Sequence, residues 1–185
     1  WNRLHSKPRN VVRNAMKHKV EIQNGLNQAD QAFELVRDTL KRSDMKFMPR
    51  AEFDQLVQAL GGQVRILVAY HNGVAQGCAV IPFSEYGAYY LYAGSVPNPF
   101  SGAMNLLNWE AIKMFKGLGV KRYDFVGVRI NPEEGTKQHG LMRFKERFGG
   151  ELVAGCLWKY RLNAISSLAY SAGVRGDVDG QKLLH

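Results

Sequence analysis

Three observations predict an α/β (α+β) chain whose mixed, mostly antiparallel sheet is flanked by helices on both faces. His71-Asn72-Gly73 separates two apolar runs, Val64 to Tyr70 and Val74 to Phe83. Asn-Gly in that setting signals a hairpin, because both residues accept positive φ. Apolar residues also recur at helical spacing before and after the hairpin. The overall order is two helices, an antiparallel meander, then helix–strand–helix–strand.

The elements follow in order. Arg9 to Lys17 is a short basic helix, with Val12 and Met16 four apart on one side, and Val20-Glu21-Ile22 is a short alternating strand. Asn27 reads as an N-cap, after which Phe33, Val36 and Leu40 recur at helical spacing. A loop from Ser43 to Pro49 leads to a second helix, Ala51 to Leu60, stopped by Gly61-Gly62. After the hairpin, Tyr89 to Ala93 is a third, tyrosine-rich strand. Met104 to Leu118 is a helix with Leu107, Ala111, Met114 and Leu118 on one face, capped by Gly119. Lys121 to Val126 is a strand, Thr136 to Phe148 a helix opened by Glu133 and Glu134, and Leu152 to Tyr160 a last strand. Residues 1–165 form the folded domain; the tail 166–185 is helix-capable at first, then Gly- and Asp-rich, and is expected to fray.

At 185 residues the chain is long enough for one domain with a real core. No apolar run approaches the roughly 18 residues that span a bilayer, and no secretory signal pattern opens the chain. The chain begins with Trp1 rather than Met, as expected of a processed or trimmed product, and leaves an upstream domain open. Cys78 and Cys156 lie in apolar segments without a CxxC pair, and His5, His18, His71, His139 and His185 are scattered. Free buried thiols, no metal and a cytoplasmic setting are therefore expected.

The net charge of +9 is concentrated in three groups. Arg3, Lys7, Arg9, Arg13, Lys17 and Lys19 all precede the first acid, Glu21; Lys41, Arg42, Lys46 and Arg50 form a second group, and Lys137, Arg143, Lys145 and Arg147 a third. Such clustering suits a polyanion: nucleic acid, a nucleotide-sugar pyrophosphate or an anionic membrane face.

Phe144-Lys145-Glu146-Arg147-Phe148-Gly149-Gly150 reads as a helix ending on glycine, with Leu141, Phe144 and Phe148 marking its core face and Lys145 beside it. About twenty residues earlier, Arg122-Tyr123-Asp124-Phe125-Val126-Gly127 is a strand running into a loop. A cation fixed near a strand mouth stabilises negative charge growing on a carbonyl oxygen, which is the need of acyl transfer. The bland alternative is a solvated lysine. Asp124, at a strand's end, is placed either as a general base or as a structural cap on the next loop.

In this order the chain resembles a GNAT-type acyltransferase domain, and more narrowly the Fem family of peptidyltransferases that extend the peptidoglycan cross-bridge. The similarity rests on Lys7-Pro8-Arg9-Asn10-Val11-Val12-Arg13-Asn14-Ala15, Leu107-Asn108-Trp109-Glu110-Ala111-Ile112-Lys113, Tyr123-Asp124-Phe125-Val126-Gly127, and Phe144-Lys145 with Phe148-Gly149-Gly150. It covers about Ser6 to Tyr160. Full Fem proteins resemble two such domains in tandem, so the resemblance implies an N-terminal GNAT-like partner domain and a chain equivalent to the second.

The resemblance implies that Lys145 stabilises the ester carbonyl or the oxyanion and that Phe144 shapes the acyl-end pocket; Asp124, from its place at a strand's end, is the residue expected to accept the proton of the incoming ammonium. It aligns Arg50 loosely with a diphosphate-binding arginine, though the tyrosine expected after it is replaced by Phe53. Tyr92, Tyr123 and Arg143 complete the expected substrate contacts; Tyr89, Tyr90 and Tyr92 read equally well as ordinary strand residues. The implied donor is an aminoacyl-tRNA and the acceptor a nucleotide- or lipid-linked peptidoglycan precursor, at the cytoplasmic membrane face. No cofactor is implied. The segment equivalent to a coenzyme A loop, Pro97-Asn98-Pro99-Phe100-Ser101-Gly102-Ala103, has one glycine and no preceding basic residue. Two alternatives stay open: an acetyl-CoA-dependent N-acyltransferase acting on a sugar or polysaccharide precursor, and a non-catalytic basic module that binds tRNA.

Overall fold

The hairpin at Asn72-Gly73 forms the centre of the fold. The computed structural model describes residues 6–128 and 131–153. Strands β2 (Val64–His71) and β3 (Val74–Pro82) pair antiparallel around the turn, with φ of 51° at Asn72 and 75° at Gly73. Two positive φ values in succession are what a two-residue hairpin loop demands. Strand β1 (Glu21–Asn24) pairs with β2 on the outer side. It starts one residue later than the sequence suggests, because Val20 turns inward to the core.

Three helices precede the hairpin and a fourth follows the strands, two on each face of the sheet. Helix α1 (Ser6–Lys17) buries Pro8, Val12 and Ala15, and helix α2 (Ala29–Lys41) buries Ala32, Phe33, Leu35 and Val36. Asn27 is not the cap of α2. It lies inside a short 3-10 turn, Leu26–Gln28, and Gln28 takes the cap position. The Gln28 side chain bonds away from the helix, accepting from the Tyr70 hydroxyl at 2.8 Å and donating to Gln23 at 3.0 Å. Helix α3 (Arg50–Leu60) buries Phe53 and Val57 and ends at Gly61.

The tyrosine-rich segment is not one strand. It divides into β4 (Gly87–Tyr89) and β5 (Tyr92–Ser95), which belong to different sheets. Leu91 N–H donates back to the Tyr89 carbonyl at 2.7 Å, a tight turn centred on Tyr90 that interrupts the ladder. Strand β5 continues the first sheet, in the order β1-β2-β3-β5, all antiparallel. Helix α4 (Ala103–Gly117) then crosses over to β6 (Arg122–Asp124), which runs parallel to β4. The sheet system is thus mixed and mostly antiparallel.

Alternation on β2 and β3 sends side chains to both faces, which explains their near-continuous apolar sequence. Leu67, Ala69, Ala79 and Ile81 pack with α1 and α4; Ile66, Val68, Cys78 and Val80 pack with α2 and α3. Phe53 and Phe115 are the largest fully enclosed rings, one in each layer. Each contributes about 1.5–3 kcal/mol by leaving water. Helix α4 buries Leu106, Leu107, Ala111 and Phe115, whereas Leu118, expected on that face, is 52% exposed just past the helix end. At Gly94 the backbone of α2 rests directly on β5: a Cβ there would lie 2.3 Å from the Leu35 carbonyl oxygen.

The chain divides into two units, Trp1–Val126 and Gly127–His185. In the second, helix α5 (Lys137–Arg147) is capped by Thr136, whose hydroxyl accepts from His139 N–H. Glu133 and Glu134 sit in the turn before it rather than in its first turn. Phe144 and Phe148 stack with centroids 5.1 Å apart, and Phe148 is buried, but Leu141 is 50% exposed and so not part of a core face. Most of the expected strand from Leu152 to Tyr160, Cys156 and the boundary at residues 165 and 166 lie outside the described residues.

Candidate active site

The break between β4 and β5 organises the polar interior of the first unit. Tyr90 N–H donates to the Asp124 carbonyl at 2.8 Å, extending the β4–β6 ladder by one bond just where the strand leaves it. Behind this point lies Asn108, a fully buried amide on α4. Its Nδ2 donates to the Tyr90 hydroxyl at 3.3 Å and to the Met104 carbonyl at 3.0 Å, and its Oδ1 accepts from the Tyr123 hydroxyl at 3.2 Å. One side chain thereby ties helix α4 to the turn between β4 and β5 and to β6. Burial pushes the Tyr90 and Tyr123 hydroxyls well above the usual phenol range. Phe125 meets Tyr90 and Tyr123 edge-on, with centroids at 5.8 and 5.0 Å.

Tyr123, expected to touch substrate, therefore faces the core. Neither Asn108 nor Tyr90 was singled out by the sequence reading. The available signal was Asn108 itself, a polar residue at a core-facing helical position between Leu107 and Ala111. Asp124 is half-buried at the end of β6, and its Oδ1 accepts from Val126 N–H at 2.7 Å. That bond holds Val126 at a φ of 53° and gives the carboxylate the loop-capping role that was its alternative reading.

Arg50 is exposed at the start of α3. Its Nε bonds both carboxylate oxygens of Asp54, at 2.8 and 2.9 Å, its Nη2 bonds Asp30, and its guanidinium lies 5.3 Å from the Phe33 ring centroid. The side chain expected to hold a diphosphate is thus held by two carboxylates. Tyr92, on β5, is half-buried and meets Phe47 edge-on at 5.2 Å.

In the second unit, Lys145 projects from the last turns of α5 and is half-buried. Its Nζ donates to the Gly127 carbonyl at 2.8 Å, fixing the ammonium beside the loop that opens this unit. Phe144 next to it is half-buried, and Arg143 is exposed.

Three amides of the segment before α4 are engaged within the protein. Phe100 N–H donates to Gln76 Oε1 at 2.8 Å, Val96 N–H to the Gln76 carbonyl at 3.1 Å, and Ala103 N–H to the Phe100 carbonyl at 3.0 Å. The Phe100 and Ala103 amides, near the N-terminus of α4, would otherwise suit a phosphate. Among the described residues there is no cluster of His, Cys, Asp and Glu able to hold a metal ion, and no helix long and apolar enough to cross a membrane.

Four antiparallel strands, the break at Tyr90 and the crossover of α4 to the parallel β4–β6 pair make up the first unit. Residues 5–146 match the acetyltransferase (GNAT) domain family, and the chain belongs to it. Over 101 residues it is 27% identical to the lipid II:glycine glycyltransferase of Staphylococcus haemolyticus (strain JCSC1435), a match covering 54% of this chain and 24% of that protein. The fold is similar to that of FemX, with a TM-score of 0.70 and 16% identity over 80% of this chain and 54% of the other. It is also similar to the aminoglycoside N-acetyltransferase AAC(6')-Iy bound to a CoA bisubstrate analogue, with a TM-score of 0.60 and 11% identity over 78% of this chain and 99% of that one. The chain thus spans about a quarter of the length of the glycyltransferase and about half that of FemX. The expected resemblance to the Fem family is matched in both sequence and fold.

Proposed function

We propose that the chain is the acyl-transfer domain of a Fem-like aminoacyltransferase, moving an amino acid from aminoacyl-tRNA to an amine of a peptidoglycan precursor. The observation that carries this reading is the half-buried Lys145 ammonium tethered to the Gly127 carbonyl. An aminoacyl ester is already activated, so its transfer needs positioning and charge stabilisation more than bond-breaking power. The acceptor amine attacks the ester carbonyl, and the C–N bond forms as the carbonyl electrons move to oxygen. The oxyanion then collapses, the C–O bond to ribose breaks, and the ribose oxygen leaves with a proton. Lys145 supplies the positive charge for the oxyanion, and Phe144 borders the acyl end. The acceptor ammonium loses one proton to solvent before attack, and the second passes from its nitrogen to the leaving ribose oxygen.

The single glycine of segment 97–103 and the Phe100 amide engaged by Gln76 support this reading over acetyl-CoA, since each leaves less for a pyrophosphate to use. The name of the similar glycyltransferase supports lipid II as the acceptor class.

Single-turnover transfer from a charged RNA minihelix to a lysine-containing pentapeptide tests the proposal. Transfer by the parent and its loss in Lys145→Met, with the fold retained, are expected. Equal rates in the two proteins would sink the role of Lys145. A rise of several degrees in the unfolding midpoint with acetyl-CoA, and no transfer from RNA, would sink the donor assignment.

A further inference from the structure

One end of the first unit sets exposed rings and an aliphatic tip among cations. The turn at 84–87 is tightly held: Ser84 N–H donates to the Gly87 carbonyl at 2.8 Å, and Ser84 Oγ accepts from the amides of Tyr86 and Gly87 at 3.3 and 3.4 Å. Tyr86 on this turn is 71% exposed, and its carbonyl accepts from Arg122 N–H at 3.0 Å. That bond joins the turn to the connection from α4 to β6, which carries Lys121 and the exposed Leu118. Tyr89 lays its ring across Gly87, where a Cβ would meet it at 3.3 Å, and is 45% exposed. Tyr86, Gly87, Tyr89, Lys121 and Arg122 line one shallow concavity of about 350 Å³.

The charge at this end has no internal counterpart. Lys116, Lys121 and Arg122 are exposed. Arg65, beside them on the sheet, lies 4.7 Å from the Phe83 ring centroid and donates to the carbonyls of Gly62 and Val64. Among the described residues none of the four pairs with a carboxylate. The turn and the connection contain one acid, Glu85. A singly exposed apolar side chain is ordinary. Here a leucine and two tyrosines stand out among uncompensated cations on a well-held turn, a combination that nothing in the core requires.

We propose that this end of the first unit is a docking surface for an anionic phospholipid bilayer. A tyrosine joins an apolar body to a polar hydroxyl, which suits the headgroup level of a membrane. The cations meet the lipid phosphates, and Leu118 reaches the acyl boundary. A nucleic acid is the competing polyanion. It would use the cations and the rings, but it gains nothing from an exposed leucine and favours a track of cations over one cluster. Few cations and a small apolar tip give reversible contact rather than a permanent anchor. The surface is argued without Lys145 or any acyl donor, so it is independent of the transfer reaction.

Co-sedimentation of the full 185-residue chain with phosphatidylcholine vesicles, with and without about one-third phosphatidylglycerol, tests the surface. Binding to the anionic vesicles alone is expected, weakening as salt rises from about 0.05 to 0.5 M. Lys116→Gln/Lys121→Gln/Arg122→Gln should lower the partition constant about a hundredfold, at about fivefold for each cation. Tyr86→Ser/Leu118→Ser should lower it about tenfold, and that loss should persist at high salt. The control Lys17→Gln/Lys41→Gln/Lys46→Gln removes the same charge elsewhere and should change it by less than about threefold. All of these positions are exposed, so thermal midpoints should match the parent's. No preference of the parent for anionic vesicles, an equal loss in the control, or an unchanged Tyr86→Ser/Leu118→Ser would each overturn the proposal. So would binding to an RNA hairpin, lost in the same variants, by a chain that ignores vesicles. Vesicle binding without any transfer activity would retain the surface and sink the transferase reading; transfer without vesicle binding would do the reverse.

Discussion

Lys145 Nζ donates to the carbonyl oxygen of Gly127 across eighteen residues of sequence, at 2.8 Å. The bond converts a flexible four-carbon side chain into a charge at a defined place, so the position of that charge depends on α5 and on the loop that Gly127 begins.

Replacing Lys145 by Met should lower single-turnover transfer by about 10²–10³, the usual cost of removing an oxyanion donor. Lys145→Arg should recover only part of this, because a planar guanidinium places its charge differently from a compact ammonium. Thermal unfolding of both variants checks that the loss is chemical rather than structural.

Asn108→Leu keeps the volume of the side chain but removes the partner of two buried hydroxyls. Each unpaired group costs about 1–3 kcal/mol, so urea midpoints should show a loss of about 2–5 kcal/mol. Adding Tyr90→Phe and Tyr123→Phe to the same protein should restore most of that stability, since a fully apolar cluster of the same shape leaves nothing unsatisfied. A triple variant no more stable than Asn108→Leu would show that packing, not hydrogen bonding, sets the cost.

Stability should fall in alkali. Burial pushes the Cys78 thiol up to about 12 from an ordinary 9.0. Between those values the unfolded chain has lost the proton and the native chain retains it. Stability from this group is therefore complete below about pH 9 and declines by at most about 1.4 kcal/mol per pH unit up to about pH 12. Tyr90 and Tyr123 are raised as well and act in the same direction. Urea titrations from pH 8 to 11 should show this slope, and Cys78→Ala should make it shallower. The thiol of the native protein should also resist alkylation at pH 8.

Gly94→Ala should cost at least about 3 kcal/mol, because the new methyl meets the backbone of Leu35, which cannot swing aside. Gly62→Ala, which meets nothing within 4 Å, should stay within about 0.5 kcal/mol of the parent. Thermal midpoints of the two variants decide it.

The features that were legible from sequence are those with local causes. The Asn72-Gly73 hairpin, the helical spacing of Phe33 and Val36, and the glycine after α4 each follow from a few neighbouring residues, and all were found. The break at Tyr90 was missed because its cause lies 34 positions away, in the Asp124 carbonyl that draws the Tyr90 amide out of the first sheet. Asn27 was displaced as a cap by a competing turn, and Leu118 and Leu141 were assigned to core faces that stop short of them. Among the candidate site residues, Arg50 illustrates a signal that was present but unread: Asp54 stands one helical turn on, so an ion pair was the expectation for an exposed helix. The two tyrosine partners of Asn108 come from the turn before β5 and from β6, and no spacing in the sequence brings them together.

The turn at Tyr90 also sets an order of assembly. Strands β1, β2, β3 and β5 and the helices on α2's side are complete by Ser95, before α4 covers the other face. This antiparallel half can collapse around a tight hairpin while later residues are still being synthesised. The parallel pairing must wait for α4 and a closure of more than thirty residues. Its formation is then the slow event, and a chain stalled before Arg122 would display β4 as an unpaired edge.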